Sequence, residues 1–306
     1  MIVYILRRLA FSVFVLWGAL TVIFVCVRLV PGDPAQLIAG PEASKADVAA
    51  LRHQLGLDQP LIVQYVRYLG QVAHLDLGRS LRLSQPASVA VAGRLGATLT
   101  LALTAMLFGG LLSFPLGIVA ALRPRSVMDG VVSVVSLIGQ SVPNFWLALM
   151  FILIFARQLH WLPSAGIGGI NHLVLPMITL ALPLVGVLTR LIRSGLLDVL
   201  NEEYIRTAQA KGLPNRAVIA RHALRNMLIP VVTVMGLQLG SLLGGAVIVE
   251  TVFGWPGAGQ LLYTAIGNRD YPVIQAGILF ITAGFVLVNL IVDISYGYLD
   301  PRIRYT

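Results

Sequence analysis

The sequence predicts an all-α polytopic membrane protein with six transmembrane helices and both termini on the cytoplasmic side. Three observations carry that expectation. Hydrophobic residues make up 57% of the 306-residue chain and charged residues only 11%, with a mean hydropathy of +0.85, a balance foreign to soluble domains of this size. The apolar residues fall into runs of roughly twenty or more, the length that crosses a hydrocarbon core. Lys and Arg gather at the ends of these runs, mainly on one side.

The first run lies between Arg8 and Arg28, longer than a signal-peptide apolar region and without a small-residue cleavage site after it. Residues 1–30 are therefore expected to stay as a signal-anchor span, with Arg7 and Arg8 holding the N-terminus inside. The chain then leaves the membrane at Pro31-Gly32-Asp33-Pro34. Residues 31–95 are more mixed, and the stretches LRHQLGL, DQPLIVQYVRYLGQV and LDLGRSL read as short amphipathic helices between Gly and Pro breaks. This periplasmic subdomain is too short for a sizeable core and is expected to rest on the spans beside it.

Residues 96–306 supply five further spans at about 97–122, 131–156, 173–192, 231–251 and 273–299. On this topology the cytoplasmic side receives Arg123, Arg125 and the basic residues from Arg190 to Arg225, whereas the short outer loops hold only Arg157 and Arg269. Helix breakers interrupt several spans: Pro115, Pro143 with Asn144, Pro176 and Pro183. Neighbouring helices or a wet cavity must then satisfy the freed carbonyls, so the bundle is expected to bend around a pathway. Gly236, Gly240 and Gly244 recur every four residues, which permits close helix approach; pore lining is the alternative.

The longest polar insert is 201–230, between the fourth and fifth spans. Asn201 is a candidate N-cap, and Glu202 and Glu203 suit the first turn of a helix. Lys211, Gly212 and Pro214 end that helix. Tyr204, Thr207, Ala208 and Lys211 share a face of small side chains between a ring and a cation, which lets another protein approach closely. A second short helix is expected from Asn215, with Arg221 and Arg225 reaching toward anionic headgroups. A merely basic cytoplasmic loop is the plainer alternative. Residues 253–272 combine Gly254, Trp255, Pro256, Gly257 and Gly259 with a short helical stretch, and are expected to re-enter the outer mouth of the bundle.

Much chemistry is absent. The sequence has no HExxH, no GxSxG, no Walker A loop and no clustered Cys or His, and its histidines are scattered. Neither a catalytic centre nor a metal site is expected, and no cofactor bound by this chain. The net charge of +9 lies at span ends without a basic and aromatic cluster, which favours membrane lipids over nucleic acid as partners. Cys26 stands alone in an apolar run. An ion-coupled secondary transporter would need mid-membrane ionisable groups; the candidates are Glu250, Asp293, Arg190 and Arg193, for which structural pairing is the simpler role. A membrane scaffold or sensor is a third reading.

YILRRL, LVPGDP, LGLDQPL, LDLGRSL, EYIRTAQAKGL, RHALRNMLIP, GLQLGSLLGGAVIVETVF, WPGAGQLL, RDYPVIQA and DPRIRY run through nearly the whole chain. Together they resemble the permease subunits of bacterial binding-protein-dependent ABC importers, in the dipeptide, oligopeptide and nickel branch. LIAGPEA, RDYPVIQA and IRY look most like the glutathione or dipeptide members. The resemblance implies a type I ABC importer permease fold in the bacterial inner membrane. It implies pairing with a second homologous permease, two ATP-binding subunits that hold ATP and Mg, and a periplasmic or lipid-anchored solute-binding protein. It identifies the loop as the EAA coupling helix that docks on an ATPase, with Glu203, Tyr204, Ile205, Arg206, Thr207, Ala208, Ala210, Lys211, Gly212, Leu213 and Arg216 as expected contacts. Arg206 stands where the motif has an acidic residue, and Pro230 arrives five residues late. Glu250, Phe253, Trp255, Pro256, Gly257, Gly259, Arg269, Asp270 and Tyr271 are the expected periplasmic gate or binding-protein contacts. The implied cargo is a short peptide, with a nickel chelate as the alternative.

Overall fold

The computed structural model describes residues 2–29, 35–36, 43–54, 56–80 and 82–299. The exit motif at 31–34 and the C-terminal residues 300–306 lie outside them. The chain is helical almost throughout: α1 (Ile2–Leu29), α2 (Lys45–Gln54), α3 (Leu61–Ala73), α4 (Ala87–Leu122), α5 (Val127–Ser141), α6 (Asn144–Phe151, continued by a π-wound turn Ile152–Gln158), α7 (Gly169–Leu200), α8 (Glu203–Ala210), α9 (Leu224–Val252), α10 (Ala258–Gly267) and α11 (Tyr271–Leu299). A two-residue hairpin, β1 (Arg79–Ser80) with β2 (Gln85–Pro86), precedes α4. LDLGRSL is thus a loop and strand rather than a helix: Gly78 adopts φ +80 beside Pro272, and Asp76 and Leu77 have no helical hydrogen bonding ahead of them.

Five helices are long and apolar enough to cross a membrane, and a sixth crossing is formed if α5 and α6 count as one bent span. That span turns by 102° at Val142-Pro143. Pro143 has no N–H to continue the ladder and becomes the N-cap of α6. The other prolines do not break their helices. Pro115, Pro176, Pro183 and Pro230 all sit inside continuous ones; α9 begins at Leu224, ahead of Pro230, and its membrane-crossing part, Pro230–Val252, matches the fifth expected run.

The long helices place their polar pairs at two opposite ends. At one end Thr98 of α4 meets Glu250 of α9, and Ser80 Oγ donates to Asp270 at 2.5 Å. At the other, Arg193 of α7 clasps Asp129 of α5 through Nε at 2.5 Å and Nη2 at 2.8 Å, and Arg8 of α1 pairs with Asp293 of α11 at 2.8 Å. Structural pairing is therefore what Arg193 and Asp293 do. Asp129 also accepts the Arg125 N–H and has its own N–H capped by Ser126 Oγ.

Small residues decide how closely the central helices approach. α4 lies along α7 with Gly109 under Leu184 and Gly117 under Ile192. Of the α9 glycines, Gly236 faces Val292 and Gly240 faces Phe285, while Gly244 opens onto space and is exposed. The packing role therefore holds for two of the three. A Cβ on Gly117 would lie 2.6 Å from Ile192 Cγ2 and 2.9 Å from the Thr189 carbonyl oxygen. Gly117→Leu is expected to destabilise the bundle by about 1–3 kcal/mol, since a backbone carbonyl cannot rotate away. Thermal denaturation in detergent checks this; an unchanged transition would contradict the α4–α7 packing.

Candidate functional site

Two places in the bundle carry the residues singled out above, one at each end. The first is α8. Asn201 does not cap it: Asn201 ends α7, its Nδ2 donating to the Leu197 carbonyl, and Glu202 takes the N-cap position in extended conformation. Lys211 and Gly212 end α8 as their chemistry requires. Gly212 stands at φ +80, its N–H donates to Gln209 O at 2.9 Å, and Leu213 N–H reaches Ala208 O at 3.4 Å, a paired closure that needs a left-handed residue. The chain then re-enters a helix at Asn215–Ala217 and passes through a π-wound turn, Val218–Ala223, directly into α9. The second helix is thus a continuous lead-in to α9, ahead of its membrane-crossing part, and not a separate short element.

Burial sorts the side chains of α8. Ile205 is fully buried and Ala208 nearly so, in one apolar cluster with Leu196, Val218, Ala223 and Met227. These two do not present a surface; they bolt α8 onto the end of α7 and the lead-in to α9. Glu203, Tyr204, Arg206, Thr207, Ala210, Lys211, Gly212, Leu213 and Arg216 are exposed. Tyr204 Oη accepts a 2.7 Å hydrogen bond from Asn226 Nδ2, which orients the ring from the side of α9. α8 is thus packed through these two side chains, its main neighbour being the Val218–Ala223 turn that leads into α9.

The second place centres on Glu250, the last acidic residue of α9. Its side chain is fully buried, and its carboxylate is enclosed by donors: Thr98 Oγ1 at 2.6 Å and the Gln260 N–H at 3.0 Å. Thr98 in turn accepts the Ala258 N–H at 2.9 Å. The free N–H groups that open α10 are thus satisfied by a carboxylate and a hydroxyl from two other helices, where the helix dipole favours negative charge. This explains the glycines. A Cβ on Gly257 would overlap the Glu250 carboxylate, and one on Gly259 would lie 2.6 Å from Val247 Cα and 2.8 Å from Glu250 Oε2. Trp255 completes the lock, its Nε1 donating to Ala97 O at 2.9 Å.

The expected gate residues are therefore mostly internal. Glu250, Phe253, Trp255, Gly257, Gly259 and Tyr271 are buried around the start of α10 and of α11. Pro256 and Asp270 are partly exposed and Arg269 is open. Two contributors were not singled out from the sequence. Thr98 is one, a hydroxyl just inside the second apolar run. Asp129 is the other, and the Ser126-x-x-Asp129 spacing is the signal that marks it.

Comparison with known families decides what kind of bundle this is. Residues 113–305 match the family described as binding-protein-dependent transport system inner membrane component. Residues 1–102 match its N-terminal companion. The chain belongs to this family. Among its relatives, the glutathione transport system permease protein GsiC of Salmonella paratyphi A is 44% identical over 305 residues, covering all of both chains. The dipeptide transport system permease protein DppB of Alkalihalophilus pseudofirmus is 44% identical over 333 residues, again covering both completely. GsiC of Escherichia coli K12 is 42% identical over 305 residues. A chain of the inward-facing MetNI methionine ABC transporter aligns with a TM-score of 0.58 at 18% identity, covering 69% of this chain and 96% of its own, which is a likeness of fold. This inner membrane component is accordingly a non-enzymatic, multi-pass permease subunit.

Proposed function

We propose that this permease subunit carries short peptides across the bacterial inner membrane as part of an ATP-driven importer, in which α8 docks on a separate ATPase. The observation that carries this reading is the mounting of α8. It has an exposed polar face, a glycine-locked end and two buried anchors into the bases of α7 and α9. With no nucleotide-binding loop in its own sequence, the chain draws its energy from a partner. ATP and Mg are held by two such ATPase subunits, and a second homologous permease supplies the other half of the pathway. A solute-binding protein delivers cargo to the end that carries α10. The equal identity to glutathione and dipeptide permeases supports a short peptide as the cargo class.

Reconstitution tests it. Proteoliposomes holding this chain with its permease and ATPase partners are expected to take up dipeptide or glutathione only with ATP and the binding protein. Uptake by this chain alone on a proton or sodium gradient would replace the proposal with ion-coupled transport. The proposed orientation has its own test. In a Cys26→Ser background, Gln59→Cys is expected to react with an impermeant maleimide added outside and Arg216→Cys only after permeabilisation; the reverse pattern overturns it.

A further inference from the structure

A cavity of about 730 Å³ lies between the end of α1, the inner face of α3, the β1–β2 hairpin and the start of α11. No residue of α4, α5, α6, α7 or α9 lines it, so it stands apart from the central bundle. Five guanidinium groups border it, from Arg28, Arg67, Arg79, Arg82 and Arg269, against the two carboxylates of Asp76 and Asp270. Those carboxylates are engaged: Asp270 accepts from Ser80 Oγ and Asp76 from the Gly78 N–H. Arg28 is held by Gln64 Oε1 at 2.9 Å and Arg79 by the Ser84 carbonyl at 2.8 Å. Arg67, Arg82 and Arg269 have no hydrogen-bonding or ionic partner among the described residues. Arg269 also occupies a left-handed backbone position at φ +54, which costs a non-glycine residue about 1 kcal/mol or more.

The depth of the cavity indicates its ligand. Tyr65 of α3 hydrogen-bonds Thr21 of α1 at 2.6 Å, and Phe24 packs edge-on against Tyr65. Thr21 lies about 12 Å along the helix from the end of α1, so α3 runs beside the last turns of a membrane span. Leu61, Ile62, Val63 and Val66 of α3 are exposed apolar side chains, Val63 and Val66 on the side away from Tyr65. An amphipathic helix at that depth lies in the interface with its apolar side toward acyl chains. Tyr68 and Tyr271 also line the cavity, and tyrosine is a residue type that favours the headgroup level. Burial pushes the Tyr68 phenol up to about 12, so its hydroxyl stays protonated.

We propose that this cavity binds the phosphate of an anionic phospholipid, with Arg67, Arg82 and Arg269 on the headgroup and α3 against the acyl chains. Bidentate guanidinium–phosphate pairing suits three arginines that have no partner among the described residues, and a cavity of this size holds a headgroup. Occupancy ties α1, α3, the hairpin and α11 into one unit. The ligand class does not depend on which side of the membrane the cavity faces.

Native mass spectrometry of the detergent-purified transporter complex tests it, with phosphatidylglycerol and phosphatidylcholine added in equal amounts. Wild type is expected to retain phosphatidylglycerol selectively, and the Arg67→Gln/Arg82→Gln/Arg269→Gln variant to bind it roughly a hundredfold more weakly. Excess inorganic phosphate should not displace the lipid. Equal retention by wild type and variant overturns the proposal, as does a bound phosphate in place of lipid. A variant that keeps its lipid but loses affinity for the binding protein also overturns it, and marks the arginines as a protein-docking surface. Measured in lipid-free detergent, an unchanged thermal transition of the variant verifies folding, because these side chains border a surface cavity.

Discussion

Gly257→Ala is expected to be among the most damaging single-methyl changes in this permease. The added Cβ falls on the Glu250 carboxylate, which can move aside only by giving up its hydrogen bonds from Thr98 and the Gln260 N–H. Overpacking costs about 1–3 kcal/mol. Displacing the carboxylate adds about 1–3 kcal/mol for each donor left unpaired in a buried site. A total above about 3 kcal/mol is expected, read as loss of folded protein in detergent extracts and a lowered thermal transition. Glu250→Ala should be similarly severe, because it strips the same donors, whereas Glu250→Gln keeps one acceptor and the shape and should be milder. The double variant Gly257→Ala/Glu250→Ala provides the sharper check. Removing the carboxylate makes room for the methyl, so the two effects should combine to well under their sum. Strict additivity would mean that the two groups do not touch.

Gly212→Val is expected to abolish most ATP-driven uptake while leaving the protein inserted and folded. Nothing lies within 4 Å of the position where a Cβ would stand, so steric overlap is not the cause. The cause is backbone conformation. φ of +80 costs an L-residue about 1–2 kcal/mol, and a β-branched residue more. Relief of that strain opens the closure between Leu213 N–H and Ala208 O and tilts the exposed end of α8 away from its docking geometry. Uptake should fall more than about tenfold, since about 1.4 kcal/mol of misorientation is a tenfold loss. Gly212→Asn, which tolerates the left-handed region, should recover much of it. Uptake within a factor of about two of wild type for Gly212→Val would remove α8 from the coupling path.

The sequence made the span pattern legible because hydropathy over about twenty residues depends on the solvent and not on any particular neighbour. The polar pairs at the two ends were not readable in the same way: Thr98–Glu250 at one end and Arg193–Asp129 at the other join residues from distant helices. The end of α8 was readable, since Lys211, Gly212 and Pro214 act through their own backbone chemistry. The start was not. Asn201 has the right side chain for an N-cap, but α7 continues far enough to claim it as its own last residue.

What the sequence determined by itself was therefore local or averaged: the apolar runs, a set of helix breakers of which only Pro143 turns its span, and the glycine that closes α8. Tertiary structure decided which face of each element is inside. Ile205 and Ala208 turn inward only because the bases of α7 and α9 meet there, and Glu250 becomes a buried cap only because Thr98 and the α10 amides converge on it from distant parts of the chain. The five arginines of the cavity come from four separate segments, so no spacing along the chain could relate them. Periodicity fixes that a helix has faces; long-range packing assigns them, because burial is a property of neighbours brought together by folding.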